Sequence, residues 1–341
     1  VAAGEQRIME QITDGTIPDR AFIKFSIESL AAQLQAIMRE AEGVKLAEDP
    51  EFLHRMRVAS RRLRTRLKLF ADCLPESKAL LFRKRVRSLT RALGEARDCD
   101  VQIIHITEFM ESLETRRQKE GLRRLLLRLT QKREGLQSAV IKAVTRMEDG
   151  RILTEMQELF RTVLGAMAFD KPEKPGSYAF MLASREIKGL LGELFGFEMY
   201  IREPARSAEL HQMRIAAKHL RYAMESFEPL FKVRLKKPIK AAKTIQEILG
   251  DIHDCDVWTH FLPVFLEDEA EKAIFYSGNV RIIPRLKTGI MRLEKDRSEF
   301  RAKRYDEFLK VWEESLGVWQ TLSDFLNSGG ASENNPDEEQ A

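Results

Sequence analysis

The segment HRMRVASRRLRTRLKLF, His54 to Phe70, returns 157 residues later as HQMRIAAKHLRYAMESF, His211 to Phe227. His54, Met56, Arg57, Ala59, Leu63, Arg64 and Phe70 all find the same residue type at the matching place. A second stretch, LGEARDCDV from Leu93 to Val101, returns 156 residues on as LGDIHDCDV from Leu249 to Val257. Two separate matches at nearly one offset make the chain two copies of one unit.

Each unit reads as helical. Leu, Ala, Arg, Lys and Glu are abundant, and no segment sustains the alternation of a half-buried strand. The spacing predicts helices over 20–44, 51–72, 77–93, 98–114, 117–147 and 151–167, then 178–200, 206–230, 235–249, 254–271, 280–302 and 304–327. Prolines, glycine and charges mark 169–177 as a linker between the halves 1–168 and 178–327. The small, polar and acidic stretch 328–341 is expected to be a disordered tail. The fold class that follows is all-α: two helical bundles, each of a size one bundle fills, related by an internal pseudo-two-fold repeat.

Within the first repeat His54, Arg57, Arg61, Arg64 and Lys68 fall at i, i+3, i+7, i+10 and i+14. That is one face of a helix, the seam where a bundle normally places apolar side chains. Met56, Leu63, Leu67 and Phe70 occupy a different face and can hold the helix in its core. The stripe is therefore free for another purpose. His211, Arg214, Lys218 and Arg221 repeat it, and Glu225 ends it early. At 1.5 Å per residue the first row spans roughly 21 Å, which suits an extended polyanion better than one small phosphate. Lys84, Arg87 and Arg91 form a shorter basic row, echoed by Lys240 and Lys243. The two histidines stand in the first turns of their helices, where the dipole favours anions, so binding is expected to strengthen as imidazolium forms.

The overall balance hides this pattern. The chain has 341 residues, 57 Lys and Arg against 53 Asp and Glu, and a net charge of +4. That average is the sum of an acidic tail, mixed helices and two basic segments. No stretch approaches the length a membrane span needs, and the first residues lack a signal-peptide profile, which places the chain in the cytoplasm by expectation. Cys73, Cys99 and Cys255 form no CxxC pair and read as buried thiols; Cys99 and Cys255 sit beside acids that would raise a thiol pKa.

Catalytic signals are sparse. Asp98, Asp100, Asp254 and Asp256 could be metal carboxylates, and His253 with Asp254 resembles the dyad of metal-dependent phosphohydrolases. Further ligands are not evident from spacing, and Arg97 stands where the first copy would need a histidine. The plainer expectation is that Asp98 and Asp254 cap a following helix, whose first turn Asp100 and Asp256 complement. Alternatively, Asp98 orients a basic neighbour. Neither GxSxG, a P-loop nor HExxH occurs.

At these residues the sequence resembles the CHAD family, the conserved histidine α-helical domain. The pattern HxxRVxxRRLR is met by His54, Arg57, Val58, Arg61, Arg62, Leu63 and Arg64. The element LGxxRDxDV is met by Leu93, Gly94, Arg97, Asp98, Asp100 and Val101. The second copy supplies His211, Arg214, Ile215, Lys218, Leu220 and Arg221, then Leu249, Gly250, Asp254, Asp256 and Val257. His219, His253 and Glu225 depart from the pattern. The resemblance implies a basic central groove or pore, non-enzymatic binding of inorganic polyphosphate, no cofactor or metal, and association with polyphosphate granules. By it the ligand residues are His54, Arg57, Arg61, Arg62, Arg64, Lys68, Lys84, Arg87, Arg91, Arg97, His211, Arg214, Lys218, Arg221, Lys240 and Lys243. Nucleic-acid binding is the alternative partner, disfavoured because Tyr222 and Phe227 are the nearest rings for stacking. A metal-dependent polyphosphate or triphosphate hydrolase is the other alternative.

Overall fold

The computed structural model describes residues 17–168, 176–231 and 233–328. Most of the expected linker and all but the first residue of the expected tail lie outside that range. Nine helices make up the described residues: α1 (Arg20–Leu46), α2 (Pro50–Leu69), α3 (Glu76–Glu111), α4 (Arg116–Asp149), α5 (Ile152–Ala166), α6 (Ser177–Phe195), α7 (Ser207–Phe231), α8 (Val233–Ser277) and α9 (Ile283–Asn327). Among the described residues there is no strand.

Local chemistry sets the ends. The Asp19 carboxylate accepts the Phe22 amide at 2.8 Å to start α1. Asp49 does the same for the Glu51 amide, with Pro50 supplying the fixed φ of a first helical position at α2. Thr115 and Gln118 form a reciprocal capping box at α4. In the first half the chain breaks after α4 at Arg151, in the left-handed region (φ 56°), whereas α9 of the second half runs unbroken.

Three expected breaks are absent. The helices read at 77–93 and 98–114 are one helix, as are 235–249 with 254–271 and 280–302 with 304–327. A glycine in a helix costs only about 1 kcal/mol, and at Gly94 and Gly250 the helix runs through. A side chain at Gly250 would lie 3.3 Å from Arg214 Nε, so the missing Cβ lets that guanidinium lie against α8.

The two halves share one continuous apolar core. Leu63, Leu67 and Phe70 of α2 and Met213, Leu220 and Phe227 of α7 are all completely buried in it. The rings of Phe70 and Phe227 meet edge to face at 5.8 Å. A second cluster, including Ile106, Leu122, Trp258, Leu262 and Ile290, joins the far ends of α3, α4, α8 and α9. There α4 and α9 cross at their glycines. A Cβ on Gly121 would collide with the Leu286 carbonyl, and one on Gly289 with that of Gln118. Beside this crossing the almost fully buried Glu269 carboxylate is gripped by Arg124 Nε at 2.5 Å and Arg128 Nε at 2.6 Å.

Candidate polyanion site

The apolar faces of α2 and α7 turn inward, so their charged faces are left to one another and to solvent. Arg61 lies over the Tyr222 ring at 5.6 Å, Arg62 reaches Glu225 at 3.1 Å, and Phe70 meets Phe227. These pairings advance together along both helices, so α2 and α7 lie side by side in the same direction. The two basic rows therefore face each other.

Lys218 is half-buried among Arg61, Arg214, Arg64 and Arg57, and none of these four neutralises it. Burial, then repulsion from those guanidiniums, pushes its pKa down to about 8. Burial likewise lowers Arg61, whose surroundings include Arg57, Arg221 and Arg214. Among the described residues neither Arg61, Arg64 nor Lys218 has an acid partner, whereas Arg214 lies close enough to Asp254 to pull on its carboxyl. The Nε–H groups of Arg57, Arg61 and Arg221 are buried without a hydrogen-bond acceptor, and Nδ1 of His211 is buried without a hydrogen-bond partner. Such groups are costly unless something accepts from them.

Acids enter this cluster at four places, the first being Asp254 beside Arg214. Arg57 approaches Asp98 at 3.6 Å, Arg97 approaches Glu51 at 3.9 Å, and Glu225 sits between Arg62 and Arg221, 3.5 Å from the latter. Glu225 occupies the place of Lys68 in the other repeat. The second row thus carries its own counter-ion where the first carries a further cation.

Farther along, Arg64, Lys68, Lys84 and Arg87 converge on a cavity of about 720 Å³ between α2, α3, α6 and α7, with Glu186 and Glu193 on its α6 side. Arg83 and His219 also line it. Sequence reasoning left out Arg83, and noted His219 only as a departure from the family pattern. The i, i+3, i+7 spacing of Leu80, Arg83 and Arg87 on α3 is the signal that would have found Arg83. The remaining candidates lie outside this cavity. Arg91 and Lys240 are exposed on α3 and α8, and Lys243 pairs with Glu247 of its own helix at 3.8 Å.

The histidines line up in matched pairs. His54 stands beside Arg97, and His211 lies against His253 with ring centroids 3.9 Å apart and the rings tilted by 35°. Burial and the neighbouring cations lower all three, His253 to about 4. The imidazolium expected from sequence therefore forms in the free protein only at lower pH.

The aspartates correct the capping expectation. Asp98 and Asp254 lie inside unbroken helices and begin none. Asp98 instead stands exposed as a loose ion-pair neighbour of Arg57, 3.6 Å away. Asp254 is pushed up to about 6, first by burial and then by Asp251 and Asp98, against the pull of Arg214. Asp100 and Asp256 brace the fold: Arg133 Nε meets Asp100 at 2.6 Å, and Arg301 Nε meets Asp256 at 2.5 Å. Among the described residues no three His, Cys, Asp or Glu side chains gather as metal ligands. Cys99 and Cys255 are buried, and burial raises every thiol, Cys73 to about 12 and Cys255 to about 11. Among the described residues no helix is long and apolar enough to cross a membrane.

Comparison with known proteins agrees with this picture. The chain is similar to the crystal structure of the CHAD domain from the plant Ricinus communis, with 21% identity, TM-score 0.55 and 92% of each chain covered. At that identity the likeness is one of fold. No curated protein matches. The family model of the CHAD domain matches residues 28–263, well over half of the chain. This protein is therefore a member of the CHAD domain family.

Proposed function

We propose that the facing basic rows bind inorganic polyphosphate without turning it over, and that the protein acts at polyphosphate granules in the cytoplasm. One observation carries the reading: Lys218 and Arg61, one from each repeat, are partly desolvated side by side with no acid to neutralise them. Like charges held this way need an anion from outside. Arginines Arg57, Arg61, Arg64 and Arg214 would grip phosphate oxygens as planar forks, and lysines Lys68, Lys84 and Lys218 would act as point charges. A linear chain of phosphates matches a row of cations; a single phosphate would satisfy two or three of them.

Nucleic acid shares the phosphate chemistry but also needs surfaces for its bases. Tyr222 is 3% exposed and Phe227 is completely buried, so neither ring is free to stack. The deciding experiment is retention of long-chain polyphosphate by the double variant Arg57→Glu, Arg61→Glu. Retention is expected to be abolished while circular dichroism is unchanged, because both side chains lie off the apolar face of α2. Unchanged retention, or phosphate release by the intact protein with Mg²⁺ or Mn²⁺, overturns the reading.

A further inference from the structure

The α8–α9 hairpin ends in a convex apolar tip, remote in sequence from the basic rows. Phe275 and Tyr276 are each 81% exposed, and Ile274, Val280 and Ile282 stand out around them. The two rings touch each other, edge to face at 4.9 Å. The corresponding turn of the first half, between α3 and α4, has nothing like it: its one apolar residue, Leu113, is buried. A helical hairpin of this fold can thus close without an exposed aromatic tip.

On the α9 side of the tip the charge is all of one sign. From Gly278 to Leu293 the chain carries Arg281, Arg285, Lys287 and Arg292 and no acid. None of these four makes an ion pair among the described residues. Arg123 of α4 is exposed two residues beyond Gly121, which packs on Leu286. Acids flank this run on both sides: Glu267, Asp268 and Glu271 are exposed on α8 before the tip and Glu294 follows Leu293, while Glu269 is taken up by Arg124 and Arg128.

We propose that this tip docks on an anionic lipid surface. Phe275, Tyr276, Ile274, Val280 and Ile282 enter the boundary between headgroups and acyl chains, where aromatic rings are favoured. Arg281, Arg285 and Lys287 rest on acidic headgroups. A convex tip with aliphatic side chains fits a plane that it can enter. Nucleic acid would need flat, accessible platforms, and these two rings face one another. Contact of this kind is peripheral and needs no spanning helix. It is independent of what the basic rows bind.

The test is co-sedimentation of the full chain with phosphatidylcholine vesicles, with and without phosphatidylglycerol. Binding is expected to the anionic vesicles and to weaken with salt. It should fall about tenfold or more in Phe275→Ser, Tyr276→Ser and again in Arg281→Glu, Arg285→Glu, since each juxtamembrane cation contributes about 1 kcal/mol. All four side chains are exposed, so both variants should keep the parent's circular dichroism. The groove variant Arg57→Glu, Arg61→Glu should still bind vesicles. The proposal is overturned if the wild type does not sediment, if the tip variants sediment equally, or if the groove variant loses the binding. Tip-dependent dimerisation or tip-dependent retention of duplex DNA, in place of vesicle binding, also overturns it.

Discussion

Lys218→Met should make the protein more stable and a poorer polyanion binder. Methionine keeps much of the length of the stem and removes the charge. The lysine titrates near 8 in place of 10.5 because burial and four guanidiniums disfavour its ammonium form. At about 1.4 kcal/mol per tenfold change in proton affinity, keeping it charged near pH 7 costs the fold about 3 kcal/mol. The sign follows from proton counts. Between about pH 8 and 10.5 the unfolded chain holds a proton that the folded one has released, so stability rises with pH in that window. Below about pH 8 the full penalty is present. Urea unfolding near pH 7 should therefore show the variant gaining up to about 3 kcal/mol, with the gain shrinking as pH rises toward 10.5. Polyphosphate affinity should fall, and its salt dependence should flatten by about one released counterion. A variant no more stable than the parent near pH 7, or a difference that does not change with pH, would refute the reasoning.

Other perturbations probe separate parts. Glu225→Gln frees Arg62 and Arg221 and should raise polyphosphate affinity by a fewfold at low salt, measured by titration. Gly121→Ala drives a methyl into the Leu286 carbonyl at the helix crossing and should lower stability by about 3 kcal/mol, an overpacking cost at the upper end of the usual range; thermal unfolding checks it. Glu269→Ala strands Arg124 and Arg128 and should cost about 3–5 kcal/mol, as breaking a buried pair does. Its urea midpoint should drop with polyphosphate binding intact.

Much of this protein was legible in its sequence. Helical periodicity gave the class, and the two recurrences gave two copies of one unit; that α2 lies against α7 came from the structure. The cations at i, i+3 and i+7 identified the face that the core does not use. What stayed hidden was set by contacts between distant residues. Gly94 and Gly250 looked like breaks, yet at Gly250 the missing side chain makes room for Arg214 of another helix. Asp100 and Asp256 looked like first-turn acids, but their partners Arg133 and Arg301 lie 33 and 45 residues away. The cavity draws on four helices from both halves, so the α7 row alone could not announce His219 as lining it, whereas Arg83 stands in one row with Leu80 and Arg87 on α3. How far burial lowers the histidines in the free protein was not legible, because a periodic pattern shows which residues share a face and not how much water remains there.

If the basic rows bind polyphosphate as proposed, Glu225 gives the site a filter of its own. A carboxylate fixed in the same chain as the arginines it neutralises competes at a high effective concentration, far above that of a free metabolite at comparable strength. A monovalent or small anion must displace it with one or two contacts and gains little. A polymer that is already anchored on the Arg61 and Arg64 side delivers its next phosphate at a comparable local concentration and can take the place of the carboxylate. The acidic side chain therefore makes this surface sensitive to the number of linked charges in a ligand and comparatively blind to charge supplied one molecule at a time.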